Sequence, residues 1–232
     1  MSALRGRGLT RVYPSTAGDV TAIADIDIDI DAGELVVVRG ASGAGKTTLL
    51  NLLGALDRPT AGTVWFDDVE ATELDEDTLA RVRRERLGFV FQSFGLIPVL
   101  SAAENVELPL RIARVPAAER DARVTDALRL VGLAGHAQQR PGELSGGQQQ
   151  RVGIARAIVG RPRVLIADEP TAQLDSRTAA SVIELIGELV HGEGIAAIVA
   201  THDPLVVQRA DRIVELHDGR AAPTTVIESA TT

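Results

Sequence analysis

The chain has 232 residues, a formal net charge of −8 and no cysteine. At about 150 residues per domain this is one large domain, or one domain with a subdomain, and disulfides, Cys-ligated zinc and iron–sulfur clusters are excluded. Hydrophobic residues make up 45%, ample for a core, while the acidic balance, with a pI of about 5.1, argues against nucleic acid as a partner, which needs a basic face. No segment approaches the roughly 18 apolar residues of a membrane span, and residues 1–10 lack the apolar stretch of a signal peptide. If the protein works at a membrane, another chain is expected to do the crossing.

A first strand-like segment ends at Tyr13. From Val20 on, Ile26, Ile28 and Ile30 alternate with Asp25, Asp27, Asp29 and Asp31, a period of two that predicts an antiparallel or edge strand with one wet face. Residues 35–38 are continuously apolar, as in a strand buried on both faces. A glycine-rich loop follows, then a helix over 48–56, and short strands are expected at 63–66 and 87–91. Residues from about 92 to 139 change character. Ser101 and Glu104 form a capping box that opens a helix, and 116–131 reads as a second helix with Val124, Leu128 and Val131 on one stripe. Beyond this helical insert come a helix at 146–159, a buried strand at 164–167, a helix through Val182, Ile183, Ile186, Leu189 and Val190, and a buried strand at 195–200. Asp203 and Pro204 supply a cap and a first-position proline for a further helix, and 212–216 is expected to be the last strand. Alternating strands and helices give an α/β class with a largely parallel sheet. The expected organisation is a single domain. Its core spans about 1–91 and 140–220, with an antiparallel β edge, a helical subdomain spans about 92–139, and a flexible tail covers 221–232.

Gly40, Ala41, Ser42, Gly43, Ala44, Gly45, Lys46 and Thr47 fit G-x-x-x-x-G-K-[ST]. In such a P-loop, backbone N–H groups turn inward around phosphate oxygens, Lys46 reaches the β- and γ-phosphates, and the Thr47 hydroxyl can ligate Mg²⁺. Thr48 continues into a helix whose N-terminus faces the anion. The bland alternative is a glycine turn with a chance lysine; the buried strand before the loop and the helix after it argue against that. The strand at 164–167 runs into Asp168 and Glu169. Behind a phosphate loop, an aspartate so placed binds Mg²⁺, and a second carboxylate at the mouth of the strand can polarise the attacking water as a general base. His136, His191 and His217 lie in polar, loop-like surroundings and read as solvated.

Leu144-Ser145-Gly146-Gly147-Gln148 downstream of the phosphate loop resembles the signature of the ATP-binding cassette family, in which ATP is sandwiched between two cassettes. The resemblance covers about residues 4–220. It implies a P-loop NTPase core, a homodimer around two ATP and Mg²⁺, and Ser145, Gly147 and Gln148 meeting the nucleotide of the opposite subunit. It further implies that Gln92 contacts Mg²⁺ and water at the hinge into the helical insert. His202 would contact the γ-phosphate in support of Glu169, Tyr13 would stack on adenine, and Asp175 would reach across the dimer. Ala172 and Gln173 depart from the serine-alanine or glycine-asparagine pair more usual before Leu-Asp. Residues 51–60, 88–92 and 104–109 are similar to the lipoprotein-release and macrolide-export branch, which serves FtsX-like membrane permeases. The expected function is therefore an ATPase subunit driving a separate permease, peripheral on the cytoplasmic face of the cell membrane. The docking groove is expected near residues 92–103, where Phe94, Leu96, Ile97 and Val99 make an apolar stretch; the bland alternative is that these four pack inside the subdomain. Rival readings are a soluble cassette ATPase in DNA repair, chromosome or translation work, and a non-catalytic regulatory module.

Overall fold

Strands with one apolar face and strands apolar throughout build two different sheets. The computed structural model describes residues 2–16, 18–222 and 225–226. β1 (Ser2–Tyr13) and β2 (Val20–Asp31) pair antiparallel, and β4 (Ala61–Phe66) and β5 (Val69–Glu70) complete a four-stranded sheet in the order β2-β1-β4-β5. As the alternation predicts, Ile26, Ile28 and Ile30 are buried while Asp25, Asp27 and Asp31 are exposed.

The second sheet has a parallel centre formed by β3 (Leu35–Gly40), β6 (Leu87–Val90), β7 (Val164–Asp168), β8 (Ala196–Ala200) and β9 (Arg212–His217), in the order β9-β3-β8-β7-β6. Successive residues of these strands face two cores. Val36, Val38, Ile166, Ile198 and Val214 pack with the antiparallel sheet and with α1 (Lys46–Leu53), which lies between the sheets. Leu35, Val37, Leu165, Ala167, Ala197 and Val199 point the other way, into the core shared with α5 (Gly146–Ile158) and α6 (Ser176–Glu193). Burial on both faces is why these strands lack alternation, and each fully buried aliphatic side chain contributes about 1.5–3 kcal/mol.

α3 (Ala102–Ile112) and α4 (Ala117–Leu130) form the helical insert, packed on α5. The Ser101–Glu104 capping box is present. Glu107, 9% exposed, joins the two insert helices by accepting from Arg111 Nε at 2.8 Å and Arg120 Nε at 2.5 Å. The two arginines hold its carboxyl below the usual carboxylate range, Arg111 contributing most.

α1 begins at Lys46 and ends at Leu53, earlier at both ends than expected, because Gly45 and Gly54 cap it. Strand pairing also continues past 216. β10 (Arg220–Ala221) and β11 (Thr225–Val226) both pair antiparallel with β9, so the expected loose tail is corrected for Ala221, Thr225 and Val226. They satisfy backbone groups that an edge strand would leave open. Residues 223–224 and 227–232 of that tail lie outside the described residues. α7 (Pro204–Val207) starts at the expected Asp203 cap. α2 (Glu76–Arg86) lies between β5 and β6 and is additional to the expected elements.

Candidate nucleotide site at the strand ends

Four parallel strands deliver their C-terminal ends to one edge of the sheet, where open α/β sheets place their ligands. β3 leads into the phosphate loop, β7 ends in Asp168, β8 leads into Thr201 and His202, and β6 leads into the turn that contains Gln92.

The phosphate loop is fixed by its backbone. Gly45 has φ +101, and a Cβ there would lie 2.5 Å from the Ala22 carbonyl oxygen of β2, so only glycine fits. Ala44 N–H donates to Ala41 O at 3.1 Å. Lys46 folds back over the loop, with Nζ donating to Gly40 O at 2.8 Å and Ala41 O at 3.2 Å. That puts the ammonium where an incoming phosphate would compete for it. Asp218 and Gly219, both with positive φ, form the two-residue turn between β9 and β10. Gly219 N–H donates to Ala44 O at 3.2 Å, and Gly219 O accepts from Ala24 N–H at 2.8 Å. The turn thus backs the loop from behind.

Thr47 Oγ1 donates to Asp168 Oδ2 at 2.8 Å. Burial pushes the Asp168 carboxyl above its ordinary value. The Thr47 hydrogen bond opposes the shift, Glu169 adds to it, and Lys46 opposes it. A divalent cation would relieve this desolvated carboxylate. Two hard protein oxygens suit Mg²⁺, which keeps several waters and takes substrate phosphate oxygens for the rest of its shell. Among the described residues no group of three or more His, Cys, Asp or Glu could hold a metal by itself.

Glu169 adopts a left-handed backbone, φ +46, which costs a non-glycine residue energy and persists only where the surroundings enforce it. Glu169 N–H donates to Ala200 O at 2.8 Å. Its side chain accepts from Thr201 Oγ1 at 3.2 Å and lies 3.0 Å from His202 Nδ1. Thr201 is fully buried, whereas the His202 side chain is 75% exposed, with one ring nitrogen on Glu169 and the other free to meet a ligand.

The remaining candidates stand apart. Gln92 is exposed in the turn after β6 and is not a partner of Thr47 or Asp168. Ser145 and Gln148 form a capping box at the start of α5, Gln148 N–H donating to Ser145 Oγ at 3.3 Å and Ser145 N–H to Gln148 Oε1 at 2.8 Å. No hydrogen bond joins them to the phosphate loop of their own chain. Asp175 caps α6, taking Arg177 N–H, Thr178 N–H and Thr178 Oγ1, so both its oxygens are engaged within the chain. The Tyr13 hydroxyl donates to Asp57 Oδ2 at 3.0 Å, and the Arg11 guanidinium lies 4.5 Å from its ring centre. Arg11 in turn binds Asp57 through Nε and Nη2 at 2.8 and 2.9 Å.

A family model described as ABC transporter matches residues 23–172. The chain belongs to the ABC transporter family. This cassette is 48% identical over 217 residues to the macrolide export ATP-binding/permease protein MacB 1/2 of Paracoccus denitrificans, covering 94% of the chain and 32% of that protein. It is 46% identical to a MacB of Rhodopseudomonas palustris, covering 94% and 33%. It thus spans about a third of the length of the curated relatives it matches. Among solved structures it superimposes on the ATP-binding cassette MJ0796 in a dimeric post-hydrolysis state with ADP and Pi. The TM-score is 0.89 and the identity 39%, over 97% of this chain and 99% of that one. It also superimposes on cbiO1 of Clostridium perfringens with TM-score 0.87 and 30% identity, covering 96% and 88%.

One further residue, not singled out by the sequence, shapes the cassette's surroundings. Asn105 is fully buried. Its Oδ1 accepts from Ile97 N–H at 2.8 Å, and its amide donates to the carbonyls of Ile97, Leu100 and Ser101, fixing the loop after Gln92. Within that loop Ile97 and Val99 are exposed, at 40% and 72%, and Phe91 joins them at 44%. Phe94 is only partly exposed, and Leu96 packs against the core. The expected four-residue apolar stretch is therefore corrected to Phe91, Ile97 and Val99.

Proposed function

We propose that this chain is the ATP-hydrolysing subunit of an ABC transporter, closing with a second copy around two Mg-ATP and driving an FtsX-like membrane permease from the cytoplasmic face of the cell membrane. The observation that carries the reading is the pair of contacts at one strand edge. Thr47 meets Asp168 at 2.8 Å, and beside them Glu169 meets His202 at 3.0 Å. The phosphate-loop amides and Lys46 bind the phosphates and neutralise charge that develops in the transition state. Thr47 and Asp168, with Gln92 brought in from the turn after β6, would hold Mg²⁺, and the ion would supply further charge neutralisation. Glu169 takes a proton from the attacking water, with its carboxylate oriented by Thr201 and His202. Ser145 and Gln148 make no hydrogen bond to the phosphate loop of their own chain, and this supports the signature, Gly147 included, acting on the nucleotide of the opposite copy. Tyr13, held by Asp57, offers a ring for adenine.

The permease reading is supported by the relatives named as joined ATP-binding and permease proteins and by the exposed Phe91, Ile97 and Val99. No helix among the described residues is long and apolar enough to cross a membrane. The test is Glu169→Gln, which keeps the shape and removes the base. It should bind ATP normally, hydrolyse it about 10²–10⁴-fold more slowly and accumulate as a dimer by light scattering. Adding Ser145→Arg should abolish that dimer while ATP binding persists. Near wild-type hydrolysis by Glu169→Gln would remove the general base from the scheme. A monomer at saturating ATP would remove the shared site.

A further inference from the structure

Gln150 sits in the second turn of α5 and is fully buried. Its Nε2 donates to Pro170 O at 2.7 Å, while its Oε1 has no hydrogen-bond partner. The amide orientation follows from chemistry, because a proline carbonyl only accepts and the nitrogen must face it. A buried glutamine with half of its amide unsatisfied is a costly core residue. Leucine or methionine would fill the space without an orphaned acceptor. What distinguishes glutamine here is the donor it presents to Pro170.

Pro170 follows Glu169 directly. The left-handed backbone of Glu169 is held upstream by its N–H on Ala200 O, and Glu169 O accepts from Ala172 N–H at 3.2 Å. The bond from Gln150 fixes the peptide on the downstream side. One residue on, Thr171 Oγ1 donates to Asp203 Oδ2 at 3.0 Å, so the segment after Glu169 is gripped by α5 on one side and by the His202 loop on the other.

We propose that Gln150 is a positioning residue that sets the carboxylate of Glu169 from the signature helix. The consequence rests on the reading given under the proposed function. Ser145 at the head of α5 meets the nucleotide of the opposite copy, and Glu169 serves the nucleotide of its own copy. The first turns of a helix move as a rigid rod, and Gln150 is five residues from Ser145, about 7.5 Å at 1.5 Å per residue. Capture of one nucleotide by the signature is therefore transmitted through Gln150 and Pro170 to the carboxylate that acts on the other.

The test compares Gln150→Met and Gln150→Glu in the full chain by steady-state hydrolysis, ATP binding and thermal melting. Gln150→Met fills the space without a donor. Its KM for ATP should stay within about twofold of wild type while kcat falls about tenfold or more, the split expected when orientation is lost and binding is kept. Gln150→Glu adds a pH signature. A buried carboxyl stays protonated to higher pH than a free one, and in that form its O–H can donate to Pro170 O. The ratio of its kcat to wild type should rise as pH is lowered from about 9 to about 6, while the ratio for Gln150→Met stays flat. The proposal is overturned if Gln150→Met turns over at the wild-type rate, or if Gln150→Glu is equally impaired at every pH. Glu169→Gln serves as the separate control. If it hydrolyses normally, the assignment of Glu169 fails whatever the Gln150 variants do.

Discussion

The second glycine of the signature has a packing reason that can be isolated from any role with nucleotide. A Cβ on Gly147 would lie 2.2 Å from Cγ2 of Thr178 in α6. Thr178 cannot turn away freely, since its Oγ1 donates to Asp175 Oδ2 at 2.6 Å and that bond is part of the α6 cap. Gly147→Ala must therefore push α5 off α6 or break the cap contact. Overpacking of this kind costs about 1–3 kcal/mol. Alanine returns about 1 kcal/mol of helix propensity, leaving a net loss of up to about 2 kcal/mol. For a domain of this length that lowers Tm by up to about 8 °C. Thr178→Ser removes the methyl and keeps the hydroxyl on Asp175. In that background Gly147→Ala should cost less than half as much, a coupling of about 0.5–1 kcal/mol in a double-mutant cycle. Urea unfolding of the four proteins measures it. Strict additivity of the two substitutions would refute the steric account.

Three further outcomes follow from other parts of the molecule. Arg111 and Arg120 depress the carboxyl of Glu107, so its contribution to stability is present above the ordinary value of 4.5 and is lost as pH falls through the lower folded value. Glu107→Gln should cost about 1–3 kcal/mol near neutrality, and urea unfolding across pH should show the gap from wild type closing in acid. Tyr13→Ala should weaken ATP about 2–12-fold, the worth of one aromatic stacking contact, and leave inorganic tripolyphosphate binding unchanged. Asp57→Asn should produce a smaller loss of the same selectivity, and equal losses for both ligands would contradict the adenine platform. Val99→Asp should reduce permease-stimulated hydrolysis and membrane recovery while basal hydrolysis is kept; unchanged stimulation would move the docking face elsewhere.

The elements that could be read from the chain were those whose burial pattern is written locally. The continuous apolar run of β3 and the isoleucine–aspartate alternation of β2 each state their own surroundings, and the phosphate loop, Asp168 and Glu169 sit at strand ends that the same runs define. α2 escaped because only Leu79 and Val82 are buried. Its signals lay at its ends, in the Asp75 cap, the acids Glu76 and Asp77 of the first turn, and the arginines of the last. β10 and β11 are two residues each and exist only because β9 offers an edge, which no local pattern records. Asn105 and Gln150 are polar residues whose burial is imposed by the fold around them, which no local pattern records. The cap made by Asp175 was legible by the same rule that located Asp203.

The peptide of Gly219 has a consequence for how the molecule comes apart. Its N–H holds Ala44 of the phosphate loop and its carbonyl holds Ala24 of β2, so a single turn late in the chain acts as the keystone of a corner assembled from three remote segments. Opening the β9–β10 hairpin is therefore expected to release the grip behind the phosphates in the same event. Local unfolding in this corner belongs to one cooperative unit, with the amides of Ala24 and Gly219 exchanging at a common rate that slows when nucleotide fills the loop. A pull on the strands that flank β9 would act as a remote dial on phosphate retention, without touching any group that contacts the nucleotide.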